Sequence, residues 1–224
     1  MVADPASPSP AGERLRISEL FLSLQGETSR VGLPTVFVRL TGCPLRCYYC
    51  DTAYAFSGGE WWTLARILER VASYGVPRVT VTGGEPLAQK VCLHLLECLC
   101  DAGHEVSLET SGALPIDAVD PRVARVVDIK TPASGEMERN LPENLEQLRA
   151  SDDVKFVISD RDDYDWAVAL LREQRLHERC EVLFSPVAGE LDPTVLADWI
   201  IADRLPVRFQ LQLHKRLWGD VPGV

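Results

Sequence analysis

Cys43, Cys47 and Cys50 lie in the stretch GCPLRCYYCDT (42–52) with the spacing C-x3-C-x2-C, and no fourth cysteine or histidine is close by. Three thiolates on one loop can wrap a small inorganic core. Structural zinc takes four protein ligands in a closed tetrahedron, so the local set is one short. A [4Fe-4S] cube held by three cysteines leaves one iron without a protein ligand, open to a substrate or cofactor. A buried thiol trio, or a zinc site completed by a residue remote in sequence, also satisfies the spacing.

The elements that must present this loop follow from the pattern of apolar residues. Strand-length apolar runs alternate with amphipathic stretches: 35–42, 63–75, 78–84, 88–103 and 105–112 read β-α-β-α-β. The alternation continues through 125–130, 142–150, 153–159, 163–174, 181–186, 193–203 and 207–214, the last read as a strand, and an extra leading strand is expected over 16–26. Continuous apolar strands, each followed by a helix, describe a parallel sheet covered by helices. About six such units in 224 residues are too few for a complete eight-fold barrel, so the expected fold is α/β, a partial, open (β/α)6-type TIM-like barrel with parallel strands. The Pro-, Ala- and Ser-rich residues 1–14 are expected to be a disordered tail, and 15–224 one domain without repeat or linker.

Ligands of such sheets gather at the carboxyl ends of the strands. Several unusual short motifs fall there: the cysteine loop, TGGEP (82–86), ETSG (109–112), DIKTP (128–132) and SPVAGE (185–190). They are expected to converge on one mouth.

Composition narrows the ligand class. A formal net charge of -10 argues against non-specific attraction to nucleic acid or an anionic membrane and favours a small organic substrate. No apolar run nears the roughly 20 residues of a membrane span, and MVADPASPSPAGE lacks the basic and apolar regions of a secretory signal. A cytoplasmic location is therefore expected, where seven cysteines point to metal or redox chemistry rather than disulfides.

The cysteine spacing, with Tyr49 just before the last cysteine and GGEP about thirty residues on, resembles the radical S-adenosylmethionine (SAM) superfamily, and so implies a truncated radical SAM core. That resemblance implies a [4Fe-4S] cluster whose open iron chelates the methionine part of SAM. The cluster then donates one electron, releasing a 5'-deoxyadenosyl radical. It also implies that Gly84 and Glu85 hold the SAM amino group, although a plain turn explains Gly-Gly before Pro as well.

SLQGE (23–27), FVRLTGC (37–43), CDT (50–52) and LQLHKRLWGD (211–220) together resemble the 7-carboxy-7-deazaguanine synthase family, over nearly the whole chain after residue 15. The resemblance implies a radical carbon-nitrogen lyase. It would contract the ring of 6-carboxy-5,6,7,8-tetrahydropterin to 7-carboxy-7-deazaguanine with loss of ammonia, in queuosine-type biosynthesis. SAM would be regenerated and Mg2+ would assist. Carried over residue by residue, Gln25, Gly26 and Glu27 would hold the pterin, a carboxylate suiting its guanidine-like edge. Arg39 would fork onto the substrate carboxylate, and Thr82 would touch substrate. Thr52 would offer its hydroxyl to Mg2+, an oxygen-seeking ion. Tyr49, Cys50 and Asp51 would border the adenine, with Ser111, Lys130 and Ser185 at the ribose and carboxylate. No side chain of the chain itself is assigned as catalytic. Implied partners are a second copy of the chain, in a homodimer, and an external one-electron donor such as flavodoxin or ferredoxin.

Two rivals stay open: a small glycyl-radical activating enzyme, which shares the cysteine spacing, and a zinc-binding scaffold. Cys92 and Cys100 are expected on the core-facing stripe of a helix, and Cys98 and Cys180 have no role. The acids of SDRDDYDW (159–166) are expected at a helix cap and first turn. His214 is a weak site candidate at a strand end, and the reach of Val224 into the site is an open question.

Overall fold

The computed structural model describes residues 12–219, 221 and 223. In chain order the strands are β1 (Arg14–Leu24), β2 (Pro34–Leu40), β3 (Glu60–Thr63), β4 (Arg78–Gly83), β5 (Glu105–Thr110), β6 (Ala124–Ile129), β7 (Asp153–Ile158), β8 (Glu181–Pro186) and β9 (Arg208–Phe209). They form one sheet in the order β3-β1-β2-β4-β5-β6-β7-β8-β9. From β2 onward every neighbouring pair is parallel, whereas β1 runs antiparallel to β2 and β3. The outermost strands β3 and β9 are not paired with each other, so the partial barrel is open, as the strand count implies.

Alternation along the strands divides them into two faces. Val36, Val38 and Leu40 of β2, Val79 and Val81 of β4, Val106 and Leu108 of β5, and Val154, Phe156 and Ile158 of β7 belong to one buried core. The residues between them point the other way, and among these are Arg39, Thr82, Glu109 and Lys155, which line a cavity. One side of the sheet is thus a hydrocarbon layer and the other a polar bowl.

Helices cover the hydrocarbon layer. They are α1 (Leu64–Ala72), α2 (Cys92–Asp101), α3 (Glu143–Glu146), α4 (Arg161–Glu173) and α5 (Pro193–Asp203), whereas α6 (Leu213–Trp218) lies at the cavity. α1 buries Leu64, Ile67 and Val71, and α4 buries Tyr164, Ala167, Val168 and Leu171, the three-and-four spacing of one helix face. Each large apolar side chain so buried contributes roughly 1.5–3 kcal/mol. Capping fixes where they start: Thr63 accepts from the Arg66 amide at 3.2 Å, Asp160 from Asp163 at 2.9 Å and Asp192 from Thr194 at 2.8 Å. Cys92 is fully buried in α2 and Cys100 packs beside the core, as the stripe predicts.

The structure departs from the expected order in four places. A helix does not follow every strand: β5 and β6 are joined without an α-helix, and α3 is a single turn. Asn144 does the work of a helix there, donating to the Gly112 and Leu114 carbonyls and accepting from Ile116. The short edge strand β3 was not foreseen, because two adjacent tryptophans before a helix carry no strand pattern. The strand expected over 207–214 shrinks to Arg208–Phe209, and His214 sits in α6 rather than at a strand end. Beyond Phe209 the Gln210 amide instead pairs with both backbone groups of Thr28, at 2.6 and 2.9 Å. Finally, β1 opens at Arg14, and Glu13 already accepts from the Leu64 amide at 3.2 Å, so ordered chain begins inside the expected tail. The rest of that tail, residues 1–11, and Val224 lie outside the described residues.

Candidate active site at the mouth of the open barrel

The polar bowl opens into a cavity of about 410 Å³. Its metal end is the loop that leaves β2. Gly42 takes φ +102° and donates to the Ala55 carbonyl at 2.8 Å, and its own carbonyl accepts from the Glu85 amide at 2.8 Å. The cysteine loop and the GGEP turn are thereby joined backbone to backbone. A Cβ on Gly84 would lie 2.8 Å from the Cβ of Cys43 and closer still to the Gly42 carbonyl, so only glycine allows this approach. Farther along, the Arg46 amide donates to Glu136 at 2.5 Å, the Tyr48 amide to the Ser134 carbonyl at 3.3 Å, and the Tyr48 hydroxyl to Ser159 and Glu190. The loop is tied to three other strand-end loops.

Cys43, Cys47 and Cys50 are free, half-buried and line the one cavity. The Leu45 amide donates to the Cys43 sulfur at 3.4 Å. Burial pushes the Cys43 thiol up and the Cys47 thiol up to about 11, against the pull of the Lys130 ammonium, so it is a bound cation that would favour the thiolates. Among the described residues no three His, Cys, Asp or Glu side chains converge on a single-ion position. That donor arrangement suits a cubane, in which each cysteine binds a different iron, better than a zinc ion.

Next to the thiols stand the residues assigned to SAM. The Lys130 ammonium lies 6.0 Å from the Tyr49 ring centroid and 2.9 Å from Asp128. Burial pulls its pKa down, but Asp128 and Cys47 outweigh this and push it up to about 12. Ser185 Oγ and Asp128 Oδ1 are buried at the cavity without a partner among the described residues. Such orphaned acceptors and hydroxyls are where a bound ligand's polar groups fit. Gly84, Ser111 and Asp51 also line the cavity.

Glu85 is not among the lining residues, and its side chain faces protein rather than the cavity. It is fully buried, and its carboxylate accepts from Thr110 Oγ1, the Ser111 amide at 2.7 Å, Ser111 Oγ at 2.5 Å and the Leu87 amide at 2.9 Å. Saturated in this way, it braces the GGEP turn against the end of β5.

The opposite end is built from charge. Gln25 is nearly buried, its amide donating to Thr80 at 3.3 Å and Glu109 at 3.1 Å while accepting from the Glu27 amide at 3.2 Å. Glu27 pairs with Lys155 of β7 and accepts from Gln212 at 2.7 Å. Burial alone would raise the Glu27 carboxyl, but Lys155 and Gln212 outweigh it and hold it below the usual carboxylate range. Glu109 accepts from Thr82 at 3.0 Å, yet burial and the nearby Glu27 charge push its pKa up. Arg39 Nε donates to Glu19 at 2.6 Å. Thr52 donates to Asp51 at 2.8 Å, and Lys215 of α6 pairs with Asp51 at 3.0 Å. The His214 ring rests on Gly26, where any Cβ would collide with it.

All the residues assigned from the sequence except Glu85 therefore border this one cavity. Lys155, Glu109, Asp128, Gln212 and Lys215 join them without having been singled out. A signal did exist: each of the first three is an ionisable residue that directly follows a buried apolar one in its strand, on the face that alternates with the core.

An open parallel barrel carrying three thiols at its mouth defines the radical SAM class, and residues 37–127 match the family model described as the Radical SAM superfamily. The chain is 47% identical over 215 residues to 7-carboxy-7-deazaguanine synthase of Chlorobaculum tepidum, covering 94% of this chain and 97% of that one, and 41% identical to the Koribacter versatilis protein of the same name, covering 91% and 97%. Its fold matches the crystal structure of QueE from Escherichia coli with TM-score 0.74 and 24% identity, covering 90% of this chain and 95% of that one. The chain belongs to the 7-carboxy-7-deazaguanine synthase family of radical SAM enzymes, whose superfamily cofactors are a [4Fe-4S] cluster and SAM.

Proposed function

We propose that this chain converts 6-carboxy-5,6,7,8-tetrahydropterin to 7-carboxy-7-deazaguanine and ammonia, with Mg2+ as an additional cofactor. The observation that carries the reading is the polarity of the cavity. Three thiols stand at one end and, at the other, two carboxylates of opposite tendency, Glu27 ionised and Glu109 inclined to keep its proton. A cluster at the three thiols, with SAM beside it, would supply radical hydrogen-abstraction chemistry.

The chain's own groups then bind and orient. Ionised Glu27 accepts hydrogen bonds from the guanidine-like edge of the pterin, with Lys155 balancing its charge. Glu109, held by Gln25 and Thr82, borders the same face of the ring. Arg39 grips the substrate carboxylate, Thr82 lies beside it, and Gln25 and Gly26 shape the floor. Cys43, Cys47 and Cys50 hold the cluster. Tyr49, Cys50, Asp51, Gly84, Ser111, Lys130 and Ser185 surround SAM, and the Thr52 hydroxyl ligates Mg2+. α6, pinned through Gln212 and Lys215, keeps water from the reacting carbon. The enzyme works in the cytoplasm as a homodimer fed by an external one-electron donor. No described helix is long and apolar enough to cross a membrane.

The test is an anaerobic incubation with the carboxypterin, SAM, Mg2+ and reductant, followed by mass detection. The expected result is the deazaguanine acid and ammonia without net consumption of SAM. Stoichiometric 5'-deoxyadenosine without the acid would overturn it.

A further inference from the structure

The pairing of β1 with β2 contains one extra residue. Ile17 lies opposite Leu40 and Glu19 opposite Arg39, which leaves Ser18 unmatched. The consequence is a change of face. Ile17 and Leu40 stay in the core, while Glu19 shares with Arg39, and with the Phe21–Phe37 pair, the face that lines the cavity. Bulges of this kind re-aim a side chain beside a site.

Glu19 uses one oxygen twice: Oε1 accepts from Arg39 Nε at 2.6 Å and from the Tyr54 hydroxyl at 2.7 Å. Tyr54 stands on the short 3-10 turn Ala53–Phe56 that follows Thr52, and the Arg39 Cζ lies 6.0 Å from its ring centroid. Among the described residues the two terminal nitrogens of Arg39 have no partner. With Nε engaged, the guanidinium offers only its end-on fork to the cavity, the geometry that matches a carboxylate.

We propose that Glu19, fixed by Tyr54, is a positioning residue that aims Arg39 at the substrate carboxylate; this rests on the role given to Arg39 in the proposed reaction. An unanchored arginine would have to give up rotamer freedom on binding, and the bulge, the carboxylate and the phenol together remove that freedom beforehand.

The test compares equilibrium binding of 6-carboxytetrahydropterin with that of its 6-carboxamide, in the anaerobic, cluster-loaded enzyme with SAM present. Glu19→Ala weakens the acid about tenfold, and Glu19→Gln and Tyr54→Phe about threefold, with the carboxamide changed less than about twofold. Iron content and SAM affinity stay unchanged in all three, and if Glu19→Ala does not fold, the other two carry the comparison. Equal weakening of acid and amide, or no weakening of either, overturns the positioning role. Arg39→Lys separates the two assignments. If it erases the preference for acid over amide while the Glu19 and Tyr54 variants do not, only the positioning role falls. If the preference survives Arg39→Lys, the assignment of Arg39 falls and the positioning role with it.

Discussion

The two ends of the cavity are made in different ways. The thiol end is joined chiefly through main-chain amides: Glu85 to the Gly42 carbonyl, Gly84 to the Leu40 carbonyl, Tyr48 to the Ser134 carbonyl, and Arg46 to the Glu136 side chain. The opposite end is held by side-chain charge gathered from far apart in the chain, as when Glu27 meets Lys155 of β7 and Gln212 near the C-terminus. Backbone contacts depend on the absence of side chains, which makes glycine and cysteine positions intolerant of change. Charge pairs depend on protonation and on both partners, which makes the other end adjustable.

The contrast is broken most completely at the thiols. Replacing Cys43, Cys47 or Cys50 singly by Ala removes a cluster ligand; iron content falls and turnover drops below detection, while the denaturation midpoint of the iron-free chain stays close to that of the parent. Next comes the buried pair. Lys155→Met leaves Glu27 without its counter-charge and costs about 3–5 kcal/mol in denaturant unfolding. Pairing it with Glu27→Gln restores most of that stability but not pterin binding. If the double variant is no more stable than the single one, the pair does not act as a unit.

At the backbone-built end, Gly84→Ala forces the GGEP turn away from Gly42 and Cys43, with a loss of about 1–3 kcal/mol and poorer iron retention. A variant as stable as the parent would show that the two loops are not in the contact described. At the charged end pH acts in two directions. Glu27 has its pKa lowered from 4.5, so its contribution to stability is complete above 4.5 and is lost as pH falls through the folded value. Glu109 has its pKa raised from 4.5, so its contribution falls as pH rises from 4.5 through the folded value. Unfolding midpoints against pH should therefore show Glu27→Gln flattening the acid limb and Glu109→Gln raising stability near neutrality. The smallest effect belongs to Lys215→Ala, which removes one of the ties between α6 and Asp51 and leaves the Gln212 contact at 3.1 Å, at a cost under about 1 kcal/mol that shrinks further in salt.

The same division explains what could be read from the sequence. Cysteine spacing, GGEP and the continuous apolar strands are local signals, and they located the open barrel, the thiol loop and most of the cavity's border. Glu85 shows that a motif gives position and not orientation: buried under Thr110 and Ser111, its carboxylate faces protein. Lys155 was hidden inside β7 and Glu109 at the head of ETSG had no role, because their meaning depends on strand order, which no short window contains. The C-terminal stretch QLQLH alternates like a strand, but after the Gln210 main-chain amide reaches the Phe184 carbonyl of β8 at 2.9 Å it leaves the sheet and turns into α6 over the site.

Everything at the thiol end depends on one cluster iron left without a protein ligand. Iron analysis and spectroscopy of the anaerobically reconstituted chain, before and after addition of SAM, test this directly. The expected result is about four irons per chain and a spectrum that changes when SAM binds. One zinc per chain, or a cluster whose spectrum ignores SAM, would contradict it.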